Sequence, residues 1–147
     1  MRKKLLFLIF LLVLIFSSQN QIRAQNTDWK PIYLLVSGGN TMNGVEAFFT
    51  EAICNGEDII HVRFNNHNEY PVKLEWFDAV FTQGLKWINK DQPGEKKSIT
   101  LPAHVEVKGT CLNNQVPELS IKVKDFVVDK KEFKRYAASN LVIIPVQ

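Results

Sequence analysis

The 147-residue chain contains no apolar run of the roughly 20 residues that a membrane-spanning helix requires, and it has only two cysteines. It also lacks any long stretch with a sustained 3.6-residue apolar period, which excludes helical bundles and coiled coils. Familiar catalytic signatures are missing: no G-x-S-x-G elbow, no H-E-x-x-H helix and no EF-hand loop. Ser37-Gly38-Gly39-Asn40 has neither a following Gly-Lys-Ser/Thr nor a helical pattern, so it reads as a turn and not as a phosphate cradle. What is present, 46% hydrophobic and 22% charged residues, excludes disorder and collagen and fits one ordinary globular domain.

The N-terminus has its own composition. Arg2, Lys3 and Lys4 precede twelve unbroken apolar residues at 5–16, then polar Ser17, Ser18, Gln19 and Asn20. A basic start, an apolar core of 7 to 15 residues and a small residue at the cut describe a secretory signal peptide. Residues 1–24 are assigned to that signal, cleaved after Ala24, and 25–147 to a single domain. A lipid anchor would need a cysteine directly after the apolar run, whereas the first is Cys54. An uncleaved N-terminal anchor is the competing reading, tested by the mass of the mature N-terminus. The expected location is exported, periplasmic or extracellular, with no membrane span after cleavage. The apolar run 141–146, close to Gln147, is read as leaving no room for an appended anchoring domain.

Cleavage also changes the charge. The whole chain carries 18 basic and 15 acidic side chains, net +3, but the signal holds four of the basic residues and no acid. The remaining 123 residues therefore carry 14 basic and 15 acidic groups, net −1. Without an excess of basic groups, nucleic acid is excluded as an expected partner.

In an oxidising compartment Cys54 and Cys111 are expected to form one disulfide. Closing a loop across 57 positions stabilises a chain by about 4 kcal/mol in the entropic model. A catalytic Cys-His pair is the rival, but no spacing supplies a positioned base.

Strict alternation marks strands at Ile60, Val62 and Phe64, at Val72, Leu74 and Trp76, and at Leu119, Ile121 and Val123. Further strands are expected at 32–36, 45–54, 85–88, 97–101, 105–110 and 141–146, with turns at 37–40, 55–58, 65–68, 82–84 and 91–94. Residues 129–138 read as a short helix or a long polar loop. Eight or nine short strands without helices predict an all-β, antiparallel two-sheet β-sandwich with one disulfide, immunoglobulin-like or related. The bridge is expected to staple the two sheets across the core. Gly109 stands where an immunoglobulin domain carries a tyrosine, two residues before the second cysteine, so a true immunoglobulin domain is not expected.

His61, His67 and His104 have no recognised metal-ligand spacing with the cysteines, and a disulfide consumes both thiols, so no metal and no cofactor are assigned. Alternation aims His61 outward and His67 lies in a polar turn, so both are expected to be solvated. Glu57 and Asp58 read as solvated acids rather than calcium ligands. Glu51 and Glu75 lie in apolar-rich strands, but nothing pairs them for glycoside hydrolysis. Of the aromatic residues, Trp76 continues the Val72 and Leu74 face and belongs to the core. Trp87, Trp29 and Tyr70 are the candidate binding residues, since exposed rings stack on sugars and form interface hot spots.

The run Asn66-His67-Asn68-Glu69-Tyr70-Pro71-Val72-Lys73-Leu74-Glu75-Trp76, followed by Lys97-Ser98-Ile99 and Gly109-Thr110-Cys111, resembles a pattern in small exported β-sandwich proteins of uncharacterised function from the Bacteroidetes. The resemblance covers 45–126 and implies an exported sandwich without implying any activity. The expected function is that of a non-enzymatic binding or structural module of the envelope or extracellular space. Its partner would be a protein or an envelope glycan, and the alternative is a carbohydrate-binding module working through exposed aromatics.

Overall fold

A computed structural model of the chain describes residues 28–34, 37–89, 94–112 and 116–146. The segment expected to be a signal peptide, 1–24, lies outside them. In chain order the strands are β1 (Lys30–Pro31), β2 (Thr41–Met42), β3 (Val45–Cys54), β4 (Glu57–Asn66) and β5 (Val72–Thr82), then β6 (Trp87–Ile88), β7 (Lys97–Leu101), β8 (Glu106–Lys108), β9 (Ser120–Lys122) and β10 (Phe133–Pro145). Short 3-10 turns occupy Pro117–Leu119, Val123–Asp125 and Lys130–Glu132. Among the described residues no helix is long and apolar enough to cross a membrane.

The strands form two antiparallel sheets. One has the order β1-β3-β4-β8, with β2 also paired to β3 and β9 to β4; the other has the order β10-β5-β6, with β7 also paired to β5. Alternation decides which side chains meet between them. Val45, Ala47 and Phe49 of β3 and Ile60, Val62 and Phe64 of β4 face Val72, Leu74, Trp76 and Val80 of β5 and Tyr136 of β10. Phe64 meets Trp76 edge-on at 5.2 Å and Phe49 meets Phe133 at 6.2 Å, contacts worth about 0.5–1.5 kcal/mol each beyond the area they bury. The expected two-sheet antiparallel architecture is therefore the one the chain forms, with Trp76 wholly buried.

The β3–β4 hairpin turns on Asn55 and Gly56, both at positive φ (53° and 79°), as a two-residue type I′ turn demands. Glu57 already belongs to β4, so the turn is shorter than the four residues its composition suggested. Other boundaries also contract. The strand expected at 32–36 is not formed over 32–34, and its residues 35–36 lie outside the described ones; Lys30–Pro31 pair with β3 just before it, and Ile32 and Leu34 still enter the core. Strand β6 begins at Trp87, after Leu85 at φ 59°, and β8 follows His104 at φ 57°. Leu119 and Val123 are buried but sit in 3-10 turns on either side of β9.

The largest correction is β10, which occupies most of the region read as helix or loop. Register shifts between Phe133 and Arg135, and between Ser139 and Val142, break the period-2 pattern. Phe133 and Tyr136, three apart, both enter the core, which is why the stretch shows no alternation.

One polar network lies at the core margin. Trp76 Nε1 (3.1 Å) and Tyr136 Oη (2.5 Å) both donate to Asp78 Oδ1. Lys97 Nζ sits 2.6 Å from Asp78 Oδ2 and donates to the Glu118 carbonyl at 2.8 Å, linking the four-stranded sheet to the turn that leads into β9. Burial, then the charge of Asp78, pushes the Tyr136 phenol well above its ordinary value, so it remains a donor.

The disulfide does not cross the core. Cys54 ends β3 and Cys111 follows β8, two segments flanking β4 in the same sheet, with Cα atoms 5.3 Å apart. Cys54 shares its face with Thr50 and Ala52, opposite the core-facing Phe49, so the bridge lies over β4 on the outer side of the six-stranded sheet.

Candidate functional site

The register of three strands places Arg135 of β10, Phe81 of β5 and Trp87 of β6 in one row on the outer face of the four-stranded sheet. Phe81 neighbours core-facing Val80 on β5, and Trp87 neighbours Ile88, which packs on the core, so both rings point away from it. Arg135 stacks on Phe81 at 4.8 Å and on Trp87 at 5.4 Å, and Tyr33 reaches it from the segment after β1 at 4.8 Å. Phe81 and Trp87 are 4.9 Å apart. Each ring lies within the roughly 6 Å over which its face attracts a cation. Tyr33 is 47% exposed, while Phe81, Trp87 and Arg135 are half-buried. Among the described residues no carboxylate forms an ion pair with Arg135, and its Nε is covered and without a partner.

A second arginine sits on the outer face of the other sheet. Arg63 of β4 lies opposite Phe48 of β3 and stacks on it at 4.4 Å and on Trp29 at 4.7 Å. This cation is partly neutralised by Glu106 at 3.5 Å. Trp29 and Trp87 thus belong to different faces of the sandwich. Tyr70, 45% exposed, lies in the β4–β5 connection beside a cleft shared with Asn43, Asn68 and Pro145. The three candidate binding residues do not share one patch. Phe81 and Arg135, the partners of Trp87, have no sequence motif and meet through the register of β5, β6 and β10; Tyr33 joins them through Arg135 from the segment after β1.

The N-x-N-x-Y-P run has a structural role. Asn66 is fully buried and its Nδ2 donates to the carbonyls of Tyr70 (3.0 Å) and Pro102 (2.9 Å), while its Oδ1 accepts from the Asn68 backbone N–H at 3.0 Å. The side chain ties the β4–β5 turn to the end of β7.

The candidate acids are held by lysines. Lys122, at 2.9 Å, and Lys124 hold the Glu57 carboxyl down to about 2; Lys73, at 2.7 Å, and Lys96 do the same for Glu75. Glu51 pairs with Lys30 at 3.0 Å and Asp58 with Lys130 at 2.7 Å. Glu51 and Glu75 lie on different sheets.

His67 and His104 are exposed beside Glu46 and Glu69, each at 2.9 Å. His61 corrects the expectation of a solvated ring. It is 4% exposed, covered by the disulfide, with Nε2 at 3.4 Å from Cys54 Sγ and 3.5 Å from Cys111 Sγ. Its Nδ1 lies 3.0 Å from Ser120 Oγ, and burial lowers its pKa, favouring the neutral imidazole. No family model, curated protein or solved structure matches the chain.

Proposed function

We propose that this protein is an exported, non-enzymatic binding module whose contact surface is the outer face of the four-stranded sheet around Arg135. The observation that carries the reading is the row Arg135-Phe81-Trp87, completed by Tyr33, with a guanidinium that has no acidic partner among the described residues. Tryptophan, tyrosine and arginine are the residues that dominate protein interfaces, because they combine a large rigid area with a polar handle. A cation held flat by rings is aimed before any ligand arrives, and a carboxylate is the group that complements it. The partner chemistry is therefore an acidic protein segment docking on an aromatic floor.

The test uses the full chain against an array of acidic peptides and, in parallel, a glycan array that includes uronic acids. Saturable peptide binding is expected, weakened at least tenfold by Arg135→Ala or Trp87→Ala and unchanged by Trp29→Ala on the opposite sheet. Binding confined to glycans would replace this reading with the carbohydrate-binding one. Turnover on a hydrolase panel, abolished by one substitution, would overturn both.

A further inference from the structure

His61 lies on the face of β4 that points away from the core, yet it is buried, because the Cys54–Cys111 bridge and Ser120 close over it. Three donor atoms from three segments converge there: Cys54 Sγ at the end of β3, His61 Nε2 in β4 and Cys111 Sγ after β8, all within 4.8 Å of one another. They border a cleft of about 250 Å³ whose lining includes Ile59, Thr110 and Ser120.

In the oxidised state the sulfurs are poor ligands, since the thiolate is the form that binds metal. Reduction by a dithiol breaks the S–S bond: two electrons pass to the protein, each sulfur takes one proton, and the donor leaves as its own disulfide. Both thiols then lose those protons on meeting a divalent ion. We propose that the reduced protein binds a thiophilic d10 cation, represented by zinc(II), through Cys54 Sγ, Cys111 Sγ and His61 Nε2, leaving the fourth position open to the cleft.

The distances fit this assignment. Zinc takes sulfur at about 2.3 Å and imidazole nitrogen at about 2.0–2.1 Å in a tetrahedron, so a sulfur and a nitrogen on one ion lie about 3.6 Å apart. His61 Nε2 stands 3.4 and 3.5 Å from the two sulfurs, so the imidazole is already in place and only the sulfurs need to part. Ser120 lies directly opposite His61 in the β4–β9 register, with Oγ 3.0 Å from Nδ1; in the tautomer that ligates through Nε2, this Oγ accepts the Nδ1 proton and the Nε2 lone pair faces the sulfurs. A three-ligand site with one open position is the arrangement of zinc sites that take a further ligand rather than of closed structural ones. The spacing Cys-x6-His-x49-Cys matches no linear zinc motif, because the ligands meet across strands rather than along one segment.

The test is anaerobic reduction of the full chain with dithiothreitol, desalting, and titration with cobalt(II) as the visible stand-in for zinc, with near-ultraviolet circular dichroism recording tertiary structure. One equivalent is expected to give thiolate-to-cobalt charge transfer and the intense visible bands of a tetrahedral ion, both erased by zinc. The oxidised protein should give neither. His61→Ala should weaken binding at least tenfold, and Ser120→Ala by about 10- to 100-fold, as loss of a hydrogen bond behind a ligand does. A reduced chain that loses its tertiary signal and regains it with one equivalent of cobalt also supports the site. The proposal is overturned if the folded, reduced protein takes up no cobalt, if His61→Ala binds as tightly as the parent chain, or if lost structure is not restored by the metal.

Discussion

Tyr136 donates its phenolic proton to Asp78 across the β10–β5 pair, Oη to Oδ1 at 2.5 Å, inside a network that also takes in Trp76 and Lys97. Asp78 is the shared acceptor, so its loss takes a bond from each of three donors and leaves the Lys97 charge without a counter-ion, although Trp76 Nε1 keeps the Tyr136 hydroxyl and Lys97 keeps the Glu118 carbonyl. Loss of the phenol removes its bond to Asp78 and the one it accepts from Trp76 Nε1 at 3.1 Å. Tyr136→Phe is expected to cost about 1.5–3 kcal/mol, the range for hydrogen bonds to charged groups. Asp78→Ala is expected to cost about 3–5 kcal/mol, because it leaves Lys97 as an unpaired, mostly covered charge. Urea denaturation of both variants checks this; an Asp78→Ala cost no greater than that of Tyr136→Phe would refute the shared-acceptor account.

Gly109 is set by close approach. A Cβ there would run into the Leu119 carbonyl oxygen and come within 2.8 Å of Ser120 Oγ. Backbone yields poorly to such a contact, so Gly109→Ala is expected to destabilise by about 1–3 kcal/mol. Gly94, with no described residue within 4 Å of the added carbon, is the control, and Gly94→Ala should stay within about 0.5 kcal/mol. Equal effects at the two positions would contradict the packing argument.

Asn66 satisfies several backbone groups at once, and an alanine there orphans the carbonyl of Pro102 and the N–H of Asn68 together. The expected cost of Asn66→Ala is about 3 kcal/mol. The neighbouring His67→Ala, which removes exposed contacts with Glu46 and Asn65, should cost no more than about 1 kcal/mol. Thermal or chemical denaturation distinguishes them, and a tolerant Asn66→Ala would show that the turn holds without its side-chain knot.

Acid stability follows from Glu57 and Glu75. Their carboxyls are lowered from 4.5 to about 2 by lysine neighbours, so on acidification the unfolded chain takes up protons before the folded one. The contribution of each pair is complete above about pH 4.5 and is lost as the pH falls toward 2. Both are surface groups, so high salt should flatten the dependence. The Glu57→Gln, Glu75→Gln double variant should lose less stability between about pH 5 and 2 than the parent chain. An identical decline in the two proteins would assign acid sensitivity elsewhere.

Several elements were legible in one dimension. Strands β3 and β7 coincide with the runs 45–54 and 97–101, because each is a strand-forming run bounded by turn residues, and β5 carries the intact alternation of Val72, Leu74 and Trp76. Trp76 follows from the same alternation. The reading failed where phase slips: two register shifts in β10 carry Phe133 and Tyr136 onto one face three residues apart. It also failed where an outward position is covered from far along the chain. Alternation assigned His61 to solvent correctly as to face, but the cover comes from Cys111 and Ser120, 50 and 59 positions away.

The class of structure is written in one dimension: short alternating strands, tight Asn-containing turns and a single pair of cysteines in a chain without helical periodicity. Those are local properties, written in the two-residue repeat of the backbone and the conformational tolerance of turn residues. Tertiary structure alone decided that the disulfide lies over β4 instead of across the core, that His61 sits beneath it, and that Arg135, Phe81, Trp87 and Tyr33 meet. Each depends on strand register and on segments distant in sequence, and register is settled by the packing of the whole core.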